Sequence, residues 1–438
     1  MKLKKIVGAV LLATAPVAAF ATNGMNLEGY GPVATAMGGA SMAYDNGAAA
    51  MMNNPATLGL MGEGSGIGVA LGFLGPDVKV AANGMNANSG GDAYYMPAVG
   101  YVTKSGKLTY GIGVYSQGGM GTEYKSSDML MSAGMNVDPR SEVGVGRVIV
   151  PLAFNVNDKF TVGGSIDWVW ATMDLRMVTS QTGFMGMMTG GNFNPGAAAP
   201  GGYYALSFSD TNDFSGAAKG TGWAGKLGFV YKITPALSVG ATYHSKTSLG
   251  DLETGTGGAQ VIGAATSTGK IIVRDFQWPE TYGVGLAYTV NDQWMVAADY
   301  KRINWSSVMK NFRMTYQNSD GTYADFSMPQ DWKDQDVFEI GASYKYNDAL
   351  TLRFGGNFAN NPVPDTYVNP LFPAIIKNHY TAGASYMISK QSSVDFALSY
   401  APEVSVTGTG AAMSSGGNNG MVIKHSQTNW QIQYGYRW

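Results

Sequence analysis

The chain has 438 residues and a formal net charge of -2, and only 13% of its residues are charged while 12% are aromatic. Ordinary soluble domains carry about a quarter charged residues, so the composition disfavours a soluble domain, and the many aromatic residues exclude disorder. The chain has no cysteine and no excess of basic residues. Disulfide scaffolds, thiolate metal sites and nucleic-acid binding are therefore also excluded.

The first residues have the three parts of an export signal. Lysines at positions 2, 4 and 5 precede an apolar stretch over residues 6–20, and alanines flank Phe20. This order predicts a signal peptide over residues 1–21 that is removed on export. An amphipathic N-terminal helix is the alternative, and the apolar stretch is too short for a mature spanning helix.

Residues 22–64 form a segment rich in glycine, alanine and methionine that precedes the first predicted strand. The segment has too few charges for a solvated tail and too few residues for an independent domain. It contains Asn54-Pro55-Ala56, in which the Asn-Pro pair is typical of a turn. We expect the rest of the chain to cover this segment.

From residue 65 onward, apolar or aromatic residues alternate with small or polar ones, which is the period of a β-strand. Near the C-terminus, for example, Trp430, Ile432 and Tyr434 alternate with Gln431 and Gln433. An even number of strands is expected for a closed antiparallel barrel. The pattern predicts fourteen strands, at residues 65–73, 92–103, 108–117, 145–156, 160–174, 222–233, 237–247, 280–290, 294–304, 334–346, 350–359, 378–388, 392–401 and 421–438.

Each predicted strand has one apolar face and one face of small or polar residues. Whether the apolar face points inward or outward distinguishes a soluble sandwich from a transmembrane barrel. A soluble sandwich would need many charged residues on its outer faces, which this chain lacks. In a transmembrane barrel the apolar faces contact lipid and the polar faces line the lumen. Aromatic residues near predicted strand ends, such as Trp168, Tyr300, Trp305 and Trp438, suit the interfacial girdles of a barrel.

The predicted connections alternate between tight turns, such as residues 157–159, and long loops, such as residues 175–221. Short periplasmic turns and long extracellular loops are typical of outer-membrane barrels. The sequence therefore predicts an all-β fold, a transmembrane antiparallel barrel of about fourteen strands over residues 65–438. A lumen of this width can need a plug, so we place residues 22–64 inside it as an N-terminal hatch.

Three glycines, Gly118, Gly119 and Gly121, follow the third predicted strand. Glycine tolerates bulges and interrupts a strand ladder. These residues therefore either break the barrel wall or form an ordinary loop entry.

The predicted loop over residues 175–221 is unusually apolar for an extracellular loop. Methionine fills irregular apolar shapes, so this loop either forms a capture groove for a hydrophobic substrate or packs against neighbouring loops. A fatty carboxylate would also need a cation, for which Arg313 in a later loop is one candidate. The candidate substrate-binding residues are Phe184, Met185, Met187, Met188, Tyr203, Tyr204, Phe208 and Arg313.

Several stretches, in this order along the chain, carry a family resemblance. They are Gly38-Gly39-Ala40-Ser41-Met42-Ala43-Tyr44-Asp45-Asn46, Asn54-Pro55-Ala56, Gly118-Gly119-Met120-Gly121-Thr122-Glu123-Tyr124, Trp278-Pro279-Glu280, Asn361-Pro362-Val363-Pro364 and Ser393-Val394-Asp395. The first two resemble the hatch of the outer-membrane long-chain fatty acid transporter family, the FadL/TodX group. The others are similar to that family over nearly the whole mature chain.

The resemblance implies a hatch-closed barrel in which hydrophobic substrates pass from extracellular loops to a lumen site. They would then leave sideways at a kinked third strand, where Gly118, Gly119 and Gly121 would form the lateral gate. Asn54-Pro55-Ala56 would lie in the hatch. We expect a monomer in the bacterial outer membrane that transports long-chain fatty acids by passive, ligand-gated diffusion.

The main alternatives are a general diffusion porin and an uptake channel for aromatic or alkane hydrocarbons. A porin predicts an open lumen with a charged constriction, whereas residues 22–64 suggest a plug. An enzyme is disfavoured, because the chain has three histidines and no Gly-x-Ser-x-Gly elbow. A structural or adhesive barrel is a further alternative. The expected partners are hydrophobic small molecules and outer-membrane lipid, with no cofactor and no metal.

Overall fold

The computed structural model of the protein describes residues 23–212 and 215–438. The predicted signal peptide over residues 1–21 lies outside the described residues. The described chain is almost entirely antiparallel sheet, and the predicted all-β barrel is confirmed.

The described residues contain twenty-three strands, three short α-helices and four 3-10 helices. The strands are β1 (Gly64–Ala82), β2 (Met85–Asn88), β3 (Tyr94–Ser105), β4 (Leu108–Glu123), β5 (Arg140–Asn155), β6 (Phe160–Ser180), β7 (Met188–Gly191), β8 (Tyr203–Phe208), β9 (Ala218–Lys232), β10 (Leu237–His244), β11 (Ser248–Leu249), β12 (Leu252–Glu253), β13 (Ala259–Ile262), β14 (Thr266–Arg274), β15 (Thr281–Thr289), β16 (Trp294–Ile303), β17 (Asn311–Asn318), β18 (Tyr323–Pro329), β19 (Gln335–Lys345), β20 (Leu350–Ala359), β21 (Asn378–Met387), β22 (Ser392–Thr407) and β23 (Val422–Arg437). The helices are α1 (Pro32–Ala36), α2 (Met129–Ser132) and α3 (Gln181–Met187), with 3-10 helices at Ala48–Met51, Pro55–Leu60, Trp305–Ser307 and Met413–Ser415. The helices in the described part of the chain are all too short to span a bilayer.

Fourteen of these strands pair side by side in a closed ring. Its order is β1, β3, β4, β5, β6, β9, β10, β15, β16, β19, β20, β21, β22 and β23. The last strand, β23, then pairs with β1 from Arg437↔Gly66 to Val422↔Ala81, which closes the barrel. Each predicted strand overlaps one member of this ring.

The strand total exceeds the fourteen predicted, because the long connections themselves fold into short strands. The predicted loop over residues 175–221 contains β7 and β8, and β8 pairs with an extension of β6. Strands β14, β17 and β18 likewise form a sheet above the ring. These additions satisfy backbone hydrogen bonds that an irregular loop would leave to water.

The side chains alternate as predicted for a membrane barrel. On the outer face, Ile166 is 67% exposed and Leu227 is 68% exposed. Their chain neighbours Asp167 and Lys226 point into the barrel and are buried. An apolar exterior with a polar, buried interior is the arrangement that lipid requires of a transmembrane barrel.

One assignment to the outer girdle is wrong. Trp305 lies just beyond β16 and is fully buried, whereas Trp168 and Trp438 are exposed on the outside. The period of a strand assigns a side chain to a face only within the strand. Trp305 follows the end of β16, where the chain turns inward into a 3-10 helix.

A charge on the outer face should destabilise the folded barrel in a membrane. We expect Leu227→Arg to lower the free energy of unfolding in phospholipid vesicles by about 2–4 kcal/mol, because the guanidinium would lie in hydrocarbon. Tyr323→Arg, at a 43% exposed position of β18, is the matched control and should change it by less than about 1 kcal/mol. Equal effects in a guanidinium titration would contradict the orientation.

Candidate functional site

Residues 23–61, called here the N-terminal segment, lie against inward-facing groups of the ring and are mostly buried. The Gly38 amide donates to Thr381 Oγ1 on β21 at 3.0 Å. The Asn54 side chain donates to the Phe229 carbonyl on β9 at 3.1 Å. Because β9 and β21 lie far apart in the ring, the segment reaches across the interior.

One carboxylate fixes the middle of the N-terminal segment. The backbone amides of Ser41 and Met42 donate to the same Asp299 oxygen, at 2.6 and 3.0 Å. A carboxylate accepting backbone amides makes a charge-assisted hydrogen bond, roughly twice as strong as a neutral one. Beside it, Lys301 Nζ pairs with Glu339 at 2.9 Å. Asp299 of β16 therefore binds the N-terminal segment, and the ion pair between Lys301 and Glu339 links β16 to β19 beside it.

The predicted Asn54-Pro55-Ala56 turn starts the 3-10 helix Pro55–Leu60. Asn54 Oδ1 accepts the Ala56 amide at 3.1 Å, and proline occupies the first helical position, where no amide donor is needed. A Cβ at Gly228 would lie 2.1 Å from Asn54 Oδ1. Only glycine at this position of β9 therefore allows the turn to approach the wall so closely.

The barrel wall is interrupted between β3 and β4. Their ladder runs from Ser105↔Leu108 to Val99↔Val114 and then stops. Residues 94–98 of β3 continue to pair with β1, and β4 continues to pair with β5. The two strands thus separate within the wall, and we call the gap between residues 94–98 and 115–122 the β3–β4 window.

The predicted glycines lie on one side of this window. Gly118, Gly119 and Gly121 belong to β4, just beyond a β-bulge that shifts the register with β5 between Ser116 and Gly118. They are unpaired with β3, because its ladder with β4 has already ended at Val114. The glycines are therefore part of the wall itself rather than a loop entry.

The start of the N-terminal segment takes the place of the missing strand neighbour. The Gly119 amide donates to the Met25 carbonyl at 3.0 Å, and Asn26 forms a β-bridge with Gly118. A Cβ at Gly118 would lie only 1.9 Å from the Met25 oxygen, so this approach requires glycine. The window is thus closed from inside by the chain itself.

A side-chain network holds the bulge at this edge. The Tyr30 hydroxyl donates to the Gln117 carbonyl at 2.7 Å, and Arg147 Nε donates to the Gln117 side chain. Burial raises the pKa of the Tyr30 hydroxyl above its usual value, with a smaller opposite effect of Arg147, so it remains a neutral donor. Arg147 is paired with Asp167 at 2.8 Å.

Three buried indoles back the window, and we call Trp278, Trp305 and Trp332 the tryptophan cluster. Trp278 and Trp305 have ring centroids 5.6 Å apart, and Trp305 and Trp332 are 5.3 Å apart. Trp278 Nε1 donates to Asn26 Oδ1 at 2.7 Å. Its ring lies 3.0 Å from the Cβ position of Gly118. The buried aromatic surface of this cluster therefore reaches the window directly.

The passage at the window is closed in this conformation. The cavity beside it has a volume of about 30 Å³ and is bordered by Leu27, Tyr30, Met96, Ala98 and Tyr115. This is space for about one water molecule. A larger molecule can pass only if the N-terminal segment moves.

The structure divides the predicted substrate-binding residues of the loop over residues 175–221. Phe184, Tyr204 and Phe208 are buried, with the rings of Phe184 and Tyr204 4.8 Å apart. Met185 is 47% exposed, and Met187, Met188 and Tyr203 are partly buried. The aromatic part of the loop therefore packs inside, and the methionines border solvent.

Arg313 does not join the other candidates. It lies on β17, where its guanidinium is exposed and pairs with Asp275 at 3.1 Å. Sequence reasoning named it as a candidate cation for a carboxylate, but β17 belongs to the sheet above the ring, where Arg313 already has an acidic partner.

Sequence reasoning missed Asn26, Gln117 and Arg147 as parts of the site. Gln117 closes the third predicted strand, and no local pattern distinguishes a bulge residue from a strand end. Trp278 was noticed only as part of a family-like stretch. Trp278 precedes β15 and does not belong to the alternating pattern of a lipid-facing strand. That position could have indicated that its side chain points inward.

Comparison with known proteins identifies this arrangement. A family model described as outer membrane protein transport protein (OMPP1/FadL/TodX) matches residues 8–437. The crystal structure of the P. putida toluene transporter TodX has 32% sequence identity and a TM-score of 0.83, and the match covers 94% of this chain and 99% of that chain. A long-chain fatty acid transport protein of Salmonella typhi is 23% identical over 352 residues, 75% of each chain. An uncharacterized protein of Chlorobium limicola is 56% identical over 81 residues, which span 18% of this chain and only 39% of that protein.

A closed barrel with a lipid-facing exterior, an apolar core among its loops and an interrupted wall, together with the family match, defines an outer-membrane transport protein for hydrophobic compounds. The chain belongs to the outer membrane protein transport protein family, the OMPP1/FadL/TodX group, as the match over residues 8–437 establishes. The members of this family are transport channels.

Weakening the Asp299 carboxylate should loosen the N-terminal segment. In Asp299→Asn the two amide bonds lose their charge assistance, so we expect the Ser41 and Met42 amides to exchange with deuterium roughly tenfold faster. Asp336→Asn is the control, because Asp336 pairs with Arg302 near the strand end and touches neither amide. Unchanged exchange at both amides in Asp299→Asn would exclude Asp299 as the anchor.

Proposed function

We propose that the protein carries uncharged aromatic hydrocarbons across the outer membrane by passive diffusion. The observation that supports this most is the continuity between the tryptophan cluster and the β3–β4 window. A buried aromatic surface favours an apolar ring by dispersion and offset or edge-to-face contacts. The toluene transporter TodX, similar in structure over 94% of this chain, supports the same substrate class.

The buried charges beside the site support an uncharged substrate. Arg147 and Lys226 both pair with Asp167, and Arg140 pairs with Glu142. A fatty carboxylate that bound one of these cations would have to displace Asp167 or Glu142 from it and so break a buried ion pair. Breaking a buried ion pair in this way costs about 3–5 kcal/mol.

The N-terminal segment serves in this proposal as the hatch, within a chain organised as signal peptide 1–21, hatch 22–64 and barrel 65–438. Its bonds to β9, β16 and β21 support a plug that spans the lumen. A plugged lumen disfavours the porin alternative, since a general diffusion pore needs open water along its axis. We further propose that the protein acts as a monomer.

The β3–β4 window serves as the exit. Trp278 and the Met25 and Asn26 backbone all lie against Gly118 at the edge of the window. Displacing Met25 and Asn26 would open the wall at the membrane and let an apolar molecule enter lipid without crossing water. Each methylene kept out of water contributes about 0.8 kcal/mol.

The methionines of the loop over residues 175–221 serve as the first contact. Met185, Met187 and Met188 border solvent next to the buried ring of Phe184. Flexible thioether side chains adapt to apolar molecules of different shapes. Capture here would deliver the substrate toward the apolar core of the loops, with which the tryptophan cluster is continuous.

Long-chain fatty acids are the second candidate. The similarity to the fatty acid transport protein of Salmonella typhi over 75% of both chains favours them. Similar proteins are thus named for both substrate classes. A measurement of uptake is needed to decide between the two substrates.

Uptake by cells that lack their own transporter should separate the two candidates. We expect expression of the protein to raise the entry rate of radiolabelled toluene several-fold while leaving that of oleate at the background level, because the buried cations are already paired. Cells with the empty vector are the control. Oleate uptake without toluene uptake would reverse the substrate assignment.

Filling the window should stop transport without unfolding the barrel. We expect Gly118→Val to abolish uptake, because its side chain would meet both the Met25 carbonyl and Trp278. Gly225→Val is the matched control on β9, where the nearest atom to an added Cβ is 3.3 Å away. Normal uptake by a correctly assembled Gly118→Val barrel would remove the window from the pathway.

A further inference from the structure

A second cavity lies at the periplasmic end of the barrel, between the N-terminal segment and the wall. Its volume is about 350 Å³, and it is bordered by β20 to β23, β1, β3 and the turn after β21. None of its bordering residues belongs to the tryptophan cluster or to the β3–β4 window. It is therefore a separate site from the apolar path described above.

One side of this cavity is apolar. Leu58 and Met61 of the N-terminal segment and Val102 of β3 are all buried and pack in one cluster. Ala48 extends this surface. The surface suits the apolar body of a small molecule.

The other side carries three cations, Arg353, Lys390 and Arg437, against two acids, Asp45 and Asp395. Arg437 pairs with Asp45 at 3.5 Å. Arg353 Nη1 instead donates to the Ser385 hydroxyl at 2.5 Å, which in turn donates to Asp395. Within residues 23–212 and 215–438, neither Arg353 nor Lys390 forms an ion pair. The cavity thus has an excess of one positive charge.

We propose that this cavity is a periplasm-facing binding site for a small amphipathic carboxylate. An apolar cavity of about 150 Å³ holds benzene, so 350 Å³ has room for a ring and its carboxylate. The planar guanidinium of Arg353 can bind both carboxylate oxygens, and the ring would lie against Leu58 and Met61. Because those two residues belong to the N-terminal segment, a bound carboxylate would join this segment to the wall.

The site can be read out directly because the natural chain has no cysteine. In the full chain in detergent, Thr351→Cys places a single thiol in the cavity, and Ser389→Cys places one on the adjacent turn outside it. We expect benzoate to slow labelling by a soluble thiol reagent several-fold at position 351 and not at position 389. Benzyl alcohol, the uncharged match, should protect neither thiol.

Removing a cation should weaken the protection. We expect Arg353→Gln or Lys390→Gln, combined with Thr351→Cys, to raise the benzoate concentration needed for half protection about tenfold. Lys345→Gln is the control, since Lys345 lies on another periplasmic strand end and pairs with Asp348. Lys390 lies on an exposed turn, so its variant tests the proposal even if Arg353→Gln fails to fold.

Three results would overturn the proposal: no protection by benzoate, equal protection by benzyl alcohol, or full protection in both cation variants. The labelling needs no transport, so its failure would leave the proposed uptake of hydrocarbons untouched. A failure of toluene uptake would likewise leave this site standing.

Discussion

The structure depends on one constraint, that every backbone amide and carbonyl within hydrocarbon must find a partner in the protein. An unsatisfied group there costs several kcal/mol. Pairing of β23 with β1 meets this requirement by removing both sheet edges. The β3–β4 window is where the ladder stops, and there the Met25 carbonyl accepts the Gly119 amide. The same contact therefore completes the wall and closes the β3–β4 window.

The surrounding lipid also determines which side chains of the ring face outward and which face the interior. The apolar side chains of the ring strands contact lipid, so the polar side chains point into the barrel. Buried charges there need partners, and Arg147 and Lys226 both pair with Asp167. Apolar side chains fill the interior around the tryptophan cluster and, at the periplasmic end, around Leu58 and Met61. An apolar surface thus continues from the loops to the β3–β4 window, while the N-terminal segment lies across the interior of the ring.

Much of the barrel could be predicted from the sequence. Every second residue of a ring strand faces lipid, so apolar and polar residues alternate along the strand. The segments over residues 392–401 and 421–438 show this alternation plainly, and both lie in ring strands. Strands β13 and β14 were missed, because they contact other loops rather than lipid and so lack that alternation. Trp305 was placed on the wrong side since it lies beyond a strand end.

The site was harder to predict because its contacts join residues distant in sequence. The glycines after the third predicted strand lie beside the interruption of the wall, yet nothing local indicated that Met25 would pair with Gly119. Arg313 was chosen as a cation for a carboxylate, but a neighbouring loop, after β14, supplies Asp275 as its partner. Long-range pairing of this kind follows from the closed ring rather than from any short pattern.

The most direct test of the route is a crystal structure with 4-bromotoluene, whose bromine can be located by its anomalous signal. We predict bromine between Trp278 and the gap beside Met96, with Met25 moved away from Gly119. Bromine found only along the barrel axis, with the bond between Met25 and Gly119 intact, would contradict a sideways exit.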